Sequence, residues 1–203
     1  MINLRIARSE DAEGILAIYT PYVEETNVTF DYDVEEAKVF CRQIDAVQNE
    51  FPWIIAEHEG KIIGYSYAKK HRDRAAYRWC AESSIYVHND FQGRGLAKLL
   101  YEALLEILSQ QNVINVYAGI AQPNESSTMF HIKLGFTPVG VYKKVGFKNN
   151  QWHDVLWVCR ILKKHPETPE EYVPFSNEKL RAYASEILAE KQKQLNASAK
   201  NGK

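Results

Sequence analysis

From Glu82 to Leu108 a strand, a glycine-bearing turn and a helix follow one another without a break, and no other stretch narrows the possible folds as much. Glu82-Ser83-Ser84-Ile85-Tyr86-Val87 is apolar at alternating positions and rich in strand formers. Leu96, Leu99, Leu100, Ala103, Leu104, Ile107 and Leu108 then recur at helical spacing. Between them lies Gln92-Gly93-Arg94-Gly95-Leu96-Ala97. Such a turn points several backbone N–H groups at one spot, at the positive end of the helix dipole. Glycine carries no Cβ, so an anion as large as a pyrophosphate can approach the backbone closely. No Gly-Lys-Ser/Thr follows, so this is no Walker loop, and the dinucleotide G-x-G-x-x-G fingerprint is absent too.

The chain has 203 residues, of which 45% are hydrophobic, enough for one globular domain with room for an extension. A formal net charge of −1 gives no general pull toward nucleic acid or an anionic membrane, and neither is expected as a partner. No charged-then-apolar signal segment opens the sequence, and no apolar run approaches the ~18 residues of a membrane span. Cys41, Cys80 and Cys159 are scattered and show no zinc spacing, so reduced thiols and no metal are expected. A cytoplasmic protein follows from these features.

Elsewhere, Ile2–Ile6 alternates as a strand, and Ser9 is placed to cap a helix beginning near Asp11. Phe30 stands apolar in a polar loop over residues 26–33, as a plug over the core or as a wall of a substrate pocket. Val34–Gln48 reads as a helix, Trp53–Glu57 and Lys61–Ala68 as a hairpin, and Tyr77–Val87 as the strand that feeds the glycine turn. Asn115–Ile120 reads as a strand. A helix capped by Asn124 ends at Gly135. Thr137–Tyr142 and Trp152–Leu162 complete the sheet, with a turn at Asn149-Asn150. The order β-α-α-β-β-β-α-β-α-β-β predicts an α/β (α+β) fold, a mixed and mostly antiparallel sheet with helices on both faces. Residues 1–162 are expected to form this domain. Residues 163–175, with Pro166, Pro169 and Pro174, read as a linker, and 176–203 as a charged helix and tail.

The turn pattern Q-x-x-G-x-A between strand and helix resembles the acetyl-CoA pyrophosphate loop of the GNAT acetyltransferases. The stretch Arg74–Val87 resembles the block that marks the phosphinothricin N-acetyltransferase branch. Gln122-Pro123-Asn124, His131 before Leu134-Gly135-Phe136, Gly146-Phe147-Lys148 and Trp152-His153-Asp154 match that branch as well. The likeness runs from about Leu4 to Arg160.

The resemblance implies the GNAT fold, acetyl-CoA as co-substrate and transfer to a primary amine. The implied acceptor is a small amino acid analogue such as phosphinothricin or a methionine sulfone or sulfoximine. It implies a homodimer too. It assigns the catalytic carboxylate to Glu82, the pantetheine strand to Ile85, Tyr86 and Val87, and the pyrophosphate loop to Gly93, Arg94, Gly95, Leu96, Ala97 and Lys98. Asn124 is the implied further contact to the cofactor. Arg72, Arg74 and Tyr77 lie where the branch holds its acceptor's acidic end, and a guanidinium fork suits that group. His131 either protonates the departing thiolate, bonds the acceptor's acidic group, or simply packs in its helix. An amine attacks only when neutral, so a carboxylate that removes its proton is the chemistry to look for. Along a strand, Glu82 stands roughly 15–20 Å back from the turn, on the scale of the pantetheine arm. The rival readings are acetylation of a protein amine and a non-catalytic acyl-CoA-binding module.

Overall fold

A computed structural model describes residues 1–201; the last two residues of the expected tail lie outside it. Seven strands form one sheet in the order β1-β2-β3-β4-β5-β7-β6: β1 Ile2–Ile6, β2 Trp53–His58, β3 Lys61–Lys70, β4 Cys80–Val87, β5 Asn115–Ala121, β6 Thr137–Lys148 and β7 Gln151–Ile161. Every neighbouring pair is antiparallel except β4 and β5. That one parallel pair is short: Cys80, Ala81 and Glu82 face Asn115, Val116 and Tyr117, and there the pairing ends. Both strands run on beyond it, β4 to Val87 and β5 to Ala121.

The helices are α1 Ala12–Glu25, α2 Ala37–Glu50, α3 Leu96–Gln110, α4 Glu125–Lys133 and α5 Glu178–Asn201. The apolar stripe of α3, including Leu96, Leu100, Leu104 and Ile107, joins the main core with Ala68, Ala81 and Val116 of the sheet. On the other face Ile15, Leu16 and Ile18 of α1 and Phe40 and Ile44 of α2 cover Trp53, Ile55 and Tyr65. Helices thus sit on both sides of the sheet, as period-3.6 stripes over a two-sided sheet require.

Several boundaries differ from the sequence reading, among them α2, which opens at Ala37 and not at Val34. Residues 75–77 make a 3-10 turn, and β4 begins only at Cys80, because Ala75-Ala76-Tyr77 leaves the extended path before the strand pairs. Ser9 does not cap α1. It opens a 3-10 turn closed by Asp11, whose Oδ2 accepts from Arg8 N at 2.7 Å while its two oxygens take both guanidinium nitrogens of Arg5 at 2.7 Å. And β6 reaches Lys148 instead of stopping near Tyr142. Its register shifts between Pro138 and Gly140 and again between Tyr142 and Gly146, which hides the alternation that marks a strand. Asp154 holds the second shift: Oδ1 accepts from Lys144 N and Oδ2 from Lys143 Nζ, both at 2.8 Å.

The segment after Leu162 lies along the domain. Phe175, Leu180, Ala184, Ile187, Leu188 and Leu195 are buried in the main core. Leu4 N donates to Gln192 Oε1 at 3.0 Å and Ile2 N to Asn196 Oδ1 at 3.2 Å, so α5 satisfies the open edge of β1 with side-chain amides.

Candidate active site

Where β4 and β5 part, a cleft opens between Ser84–Tyr86 on one side and Ala118–Ala121 on the other, floored by Asn124, Ser127 and His131 of the α4 region. It continues into a groove lined by Val87, Gly93, Gly95, Ala97 and Lys98, the two sharing Ile85, Asn124 and Ser127. The backbone beyond Glu82 and Tyr117 has no strand partner across this gap, so its polar groups are available to an extended ligand.

At the groove's far end Gly93 has φ +71° and Gly95 φ +80°, left-handed conformations that a side chain would strain. Gly95 is the N-cap of α3 and supplies no capping side chain. The first-turn N–H groups of Leu96, Ala97 and Lys98 are therefore free for an anion. Leu96 itself is 1% exposed and belongs to the core, so only its backbone can serve there. Arg94 lies over the Phe91 ring, 5.4 Å from its centroid. Gln92, noted only as part of the pattern, fixes the turn: its Nε2 donates to Asn89 Oδ1 at 3.0 Å and to Val87 O at 3.3 Å. Tyr22 also donates to Val87 O, at 2.7 Å. Tyr86 sits among the rings of Tyr19, Tyr22 and Tyr65, at 5.0, 5.1 and 5.2 Å, so it too faces the cleft with its backbone. Asn124 accepts from Ser127 N at 3.1 Å, capping α4 at the floor of the cleft.

Glu82 is the last residue of β4 to pair with β5, at the head of the cleft. Its Oε1 lies 3.4 Å from Lys69 Nζ and its Oε2 3.8 Å from His71 Nδ1. Burial works to lower the Lys69 pKa, but Tyr67, Glu82 and Asp31 together hold it above its ordinary value, so the ammonium persists. Lys69 also lines a cavity of about 280 Å³ between α1, α2 and the sheet, with Asp31, Asp33, Tyr67 and Trp53 on its walls.

His131 is 5% exposed, and both its ring nitrogens are engaged by the fold. Nδ1 faces the Ser127 carbonyl at 2.8 Å, and a carbonyl only accepts, so Nδ1 carries the proton. Nε2 then accepts from the Tyr101 hydroxyl at 3.1 Å, and Ser83 Oγ is 2.6 Å from that same hydroxyl. Burial lowers the His131 pKa, with the Ser127 carbonyl opposing, so the ring is held neutral. A ring in this state has its one N–H committed to Ser127.

The arginine turn stands apart from Glu82. Arg72, Arg74 and Tyr77 line a separate cavity with Phe51 and Tyr172. The pairing explains this: Glu82 lies opposite Lys69 on the face of Tyr65 and Tyr67, whereas Lys70, which lines the arginine cavity, lies opposite Ala81 on the face of the main core. Phe30 packs over the last hairpin, 6.0 Å from the His153 ring and so close to Gly146 that a Cβ there would meet it at 2.2 Å. It ties the α1–α2 loop to that hairpin.

The sequence profile of the acetyltransferase (GNAT) domain matches residues 4–157, most of the chain. The chain belongs to the GNAT acetyltransferase family. It is an acetyl-CoA-dependent N-acetyltransferase and falls in the phosphinothricin N-acetyltransferase-like branch. A phosphinothricin N-acetyltransferase of Streptomyces viridochromogenes is 33% identical over 154 residues, 76% of this chain and 84% of the relative. An L-methionine sulfoximine/L-methionine sulfone acetyltransferase of Salmonella typhimurium is 29% identical, over 81% of this chain and 96% of the relative. A crystal structure of a phosphinothricin acetyltransferase from Sinorhizobium meliloti in complex with acetyl-CoA superposes with a TM-score of 0.78 at 29% identity, covering 86% and 98% of the two chains. The mixed, mostly antiparallel seven-stranded sheet is thus the GNAT fold. The glycine turn and the parted strands fit acetyl-CoA: Gly93–Lys98 would hold its pyrophosphate and Ile85–Val87 its pantetheine arm, and the coenzyme supplies an activated acetyl thioester. Among the described residues no three His, Cys, Asp or Glu side chains are grouped to hold a metal ion, and no helix is long and apolar enough to cross a membrane.

Proposed function

We propose that this GNAT acetyltransferase moves acetyl directly from acetyl-CoA to the primary amine of a small amino-acid-like acceptor, of the phosphinothricin or methionine sulfone/sulfoximine type. Glu82 is the general base. The observation that carries this reading is the position of Glu82 at the point where β4 and β5 part. A thioester reaching up the cleft from the glycine turn presents its carbonyl there, beside a carboxylate. The N–H groups bordering the parted strands stabilise the oxyanion of the tetrahedral intermediate. No covalent acyl-enzyme is involved, since none of the three cysteines lines the cleft.

Arg72, Arg74 and Tyr77 line their own cavity on the other face of the sheet, so no part of the acceptor is assigned to them, and Phe30 braces the last hairpin. His131 orders the cleft floor through Tyr101 and Ser127. The enzyme works as a homodimer. Val139, Val141, Tyr142, Val145 and Trp152 of the β6–β7 hairpin are 43–61% exposed, an apolar strip at the sheet's open edge that a second copy can cover.

The test is a panel of amines with acetyl-CoA, read by release of free thiol. Small amino acid analogues with an acidic end should turn over far faster than peptide N-termini or lysine side chains. Equal or faster acetylation of a peptide amine would contradict the assignment.

A further inference from the structure

We propose that His71 is a positioning residue of the transfer, a proton acceptor that works behind Glu82 and clears it once in each turnover, before the amine attacks. The inference rests on the reading of Glu82 as the base. His71 follows β3, and its ring is clamped: it stacks on Tyr117 with centroids 4.4 Å apart and planes 19° apart, and meets Trp157 edge-on at 5.9 Å. That clamp turns Nδ1 toward Glu82 Oε2, 3.8 Å away. Nδ1 is buried and has no hydrogen-bond partner. A buried ring nitrogen is seldom left so. A proton shared with the adjacent carboxyl satisfies it, after a movement of less than 1 Å toward ordinary hydrogen-bond length.

The reaction needs such an acceptor. The acceptor nitrogen begins as an ammonium and loses two protons: one before it attacks, one after the C–N bond has formed. Glu82 takes the first, the N–H bond breaking as the O–H bond forms. The proton passes from Oε2 to His71 Nδ1, which regenerates the carboxylate. The amine's lone pair then attacks the thioester carbonyl. The tetrahedral intermediate gives its second proton to Glu82 and expels the thiolate, breaking the C–S bond. The first proton leaves His71 for solvent, and the second passes from Glu82 to the departing thiolate, which leaves as the coenzyme thiol.

The surroundings suit a neutral ring. Burial lowers the His71 pKa and Arg72 lowers it further, with Glu82 opposing. From β5, Tyr117 faces the ring with its own pKa raised by burial; from β3, Lys69 stays cationic on the other oxygen of Glu82. His71 is therefore the neutral acceptor of the group.

His71→Phe keeps the stacked ring and removes the proton acceptor; His71→Gln keeps a polar group and removes it too. Both variants should bind acetyl-CoA as the wild type does. Both should lose kcat/KM for the amine by on the order of 10²-fold near neutral pH, the low end for a proton-transfer group. The loss should shrink as pH rises and the amine deprotonates unaided. The acid limb set by His71, below the ordinary histidine value of 6.5, should vanish. A wild-type rate and pH profile in either variant overturns the role of His71. Glu82→Gln, measured beside them, separates the two claims: if it is inactive while His71→Phe is normal, only the His71 proposal fails; if Glu82→Gln is normal, the base assignment falls first.

Discussion

His131 shows how a residue singled out in a motif can carry a role set by its neighbours. Its environment disfavours the imidazolium, so in the folded state it takes a proton less readily than in the unfolded chain. The unfolded state then binds more protons, and stability falls as pH drops through and below 6.5. Chemical denaturation of the wild type and of His131→Gln between about pH 7.5 and about pH 5, a range that brackets the ordinary histidine value, should show a shallower loss in the variant. Equal slopes would mean that another group dominates the acid limb. Arg74→Ala should change the KM values of the amine acceptor and of acetyl-CoA little and alike, because the arginine cavity and Glu82 lie on different faces of the sheet. A selective rise in the amine KM would bring the turn into the acceptor site. His71 was present in the sequence only as one member of a basic run. Its meeting with Glu82 depends on the β3–β4 register and on stacking against β5, neither of which local spacing encodes.

Among the elements, the turn into α3 was readable because its signal is local. Two glycines, a strand before and an apolar stripe after are all in consecutive sequence. Gly95→Val keeps open space around the new side chain but forces a β-branched residue to φ +80°. It should raise the acetyl-CoA KM sharply while the protein stays folded; titration of the folded variant with acetyl-CoA checks this, and unchanged affinity would remove the turn as the pyrophosphate seat. The length of β6 was not readable, because two register shifts break its alternation and an aspartate on the next strand holds the second of them. The parting of β4 from β5 was not readable either. It arises because the parallel ladder ends at Glu82, a fact about pairing partners 35 residues apart in the chain, Glu82 and Tyr117.

At the scale of the whole molecule, α5 completes the core beyond the region matched by the family profile. Its charged composition suggests a peripheral helix, yet its Leu180, Ala184, Ile187, Leu188 and Leu195 are nearly inaccessible. At about 1.5–3 kcal/mol for each leucine or isoleucine among them, its removal would cost as much as the ~5–15 kcal/mol net stability of a typical domain. Replacing both Gln192 and Asn196 by Ala is the gentler probe. It uncovers two edge N–H groups of β1 and should lower stability by about 1–3 kcal/mol without changing either KM, as read by urea denaturation and steady-state kinetics. No loss of stability would show that water replaces these amides freely. What joins sheet, cleft and coenzyme into one account is the claim that Glu82 takes the proton from the amine. The most direct measurement is a pH–rate profile of Glu82→Gln with one small amine, alongside its acetyl-CoA affinity. The account predicts near-normal coenzyme binding, turnover reduced by roughly 10²–10⁴-fold near neutral pH, and a deficit that narrows as rising pH deprotonates the amine. Wild-type turnover at neutral pH in a folded Glu82→Gln enzyme would contradict it.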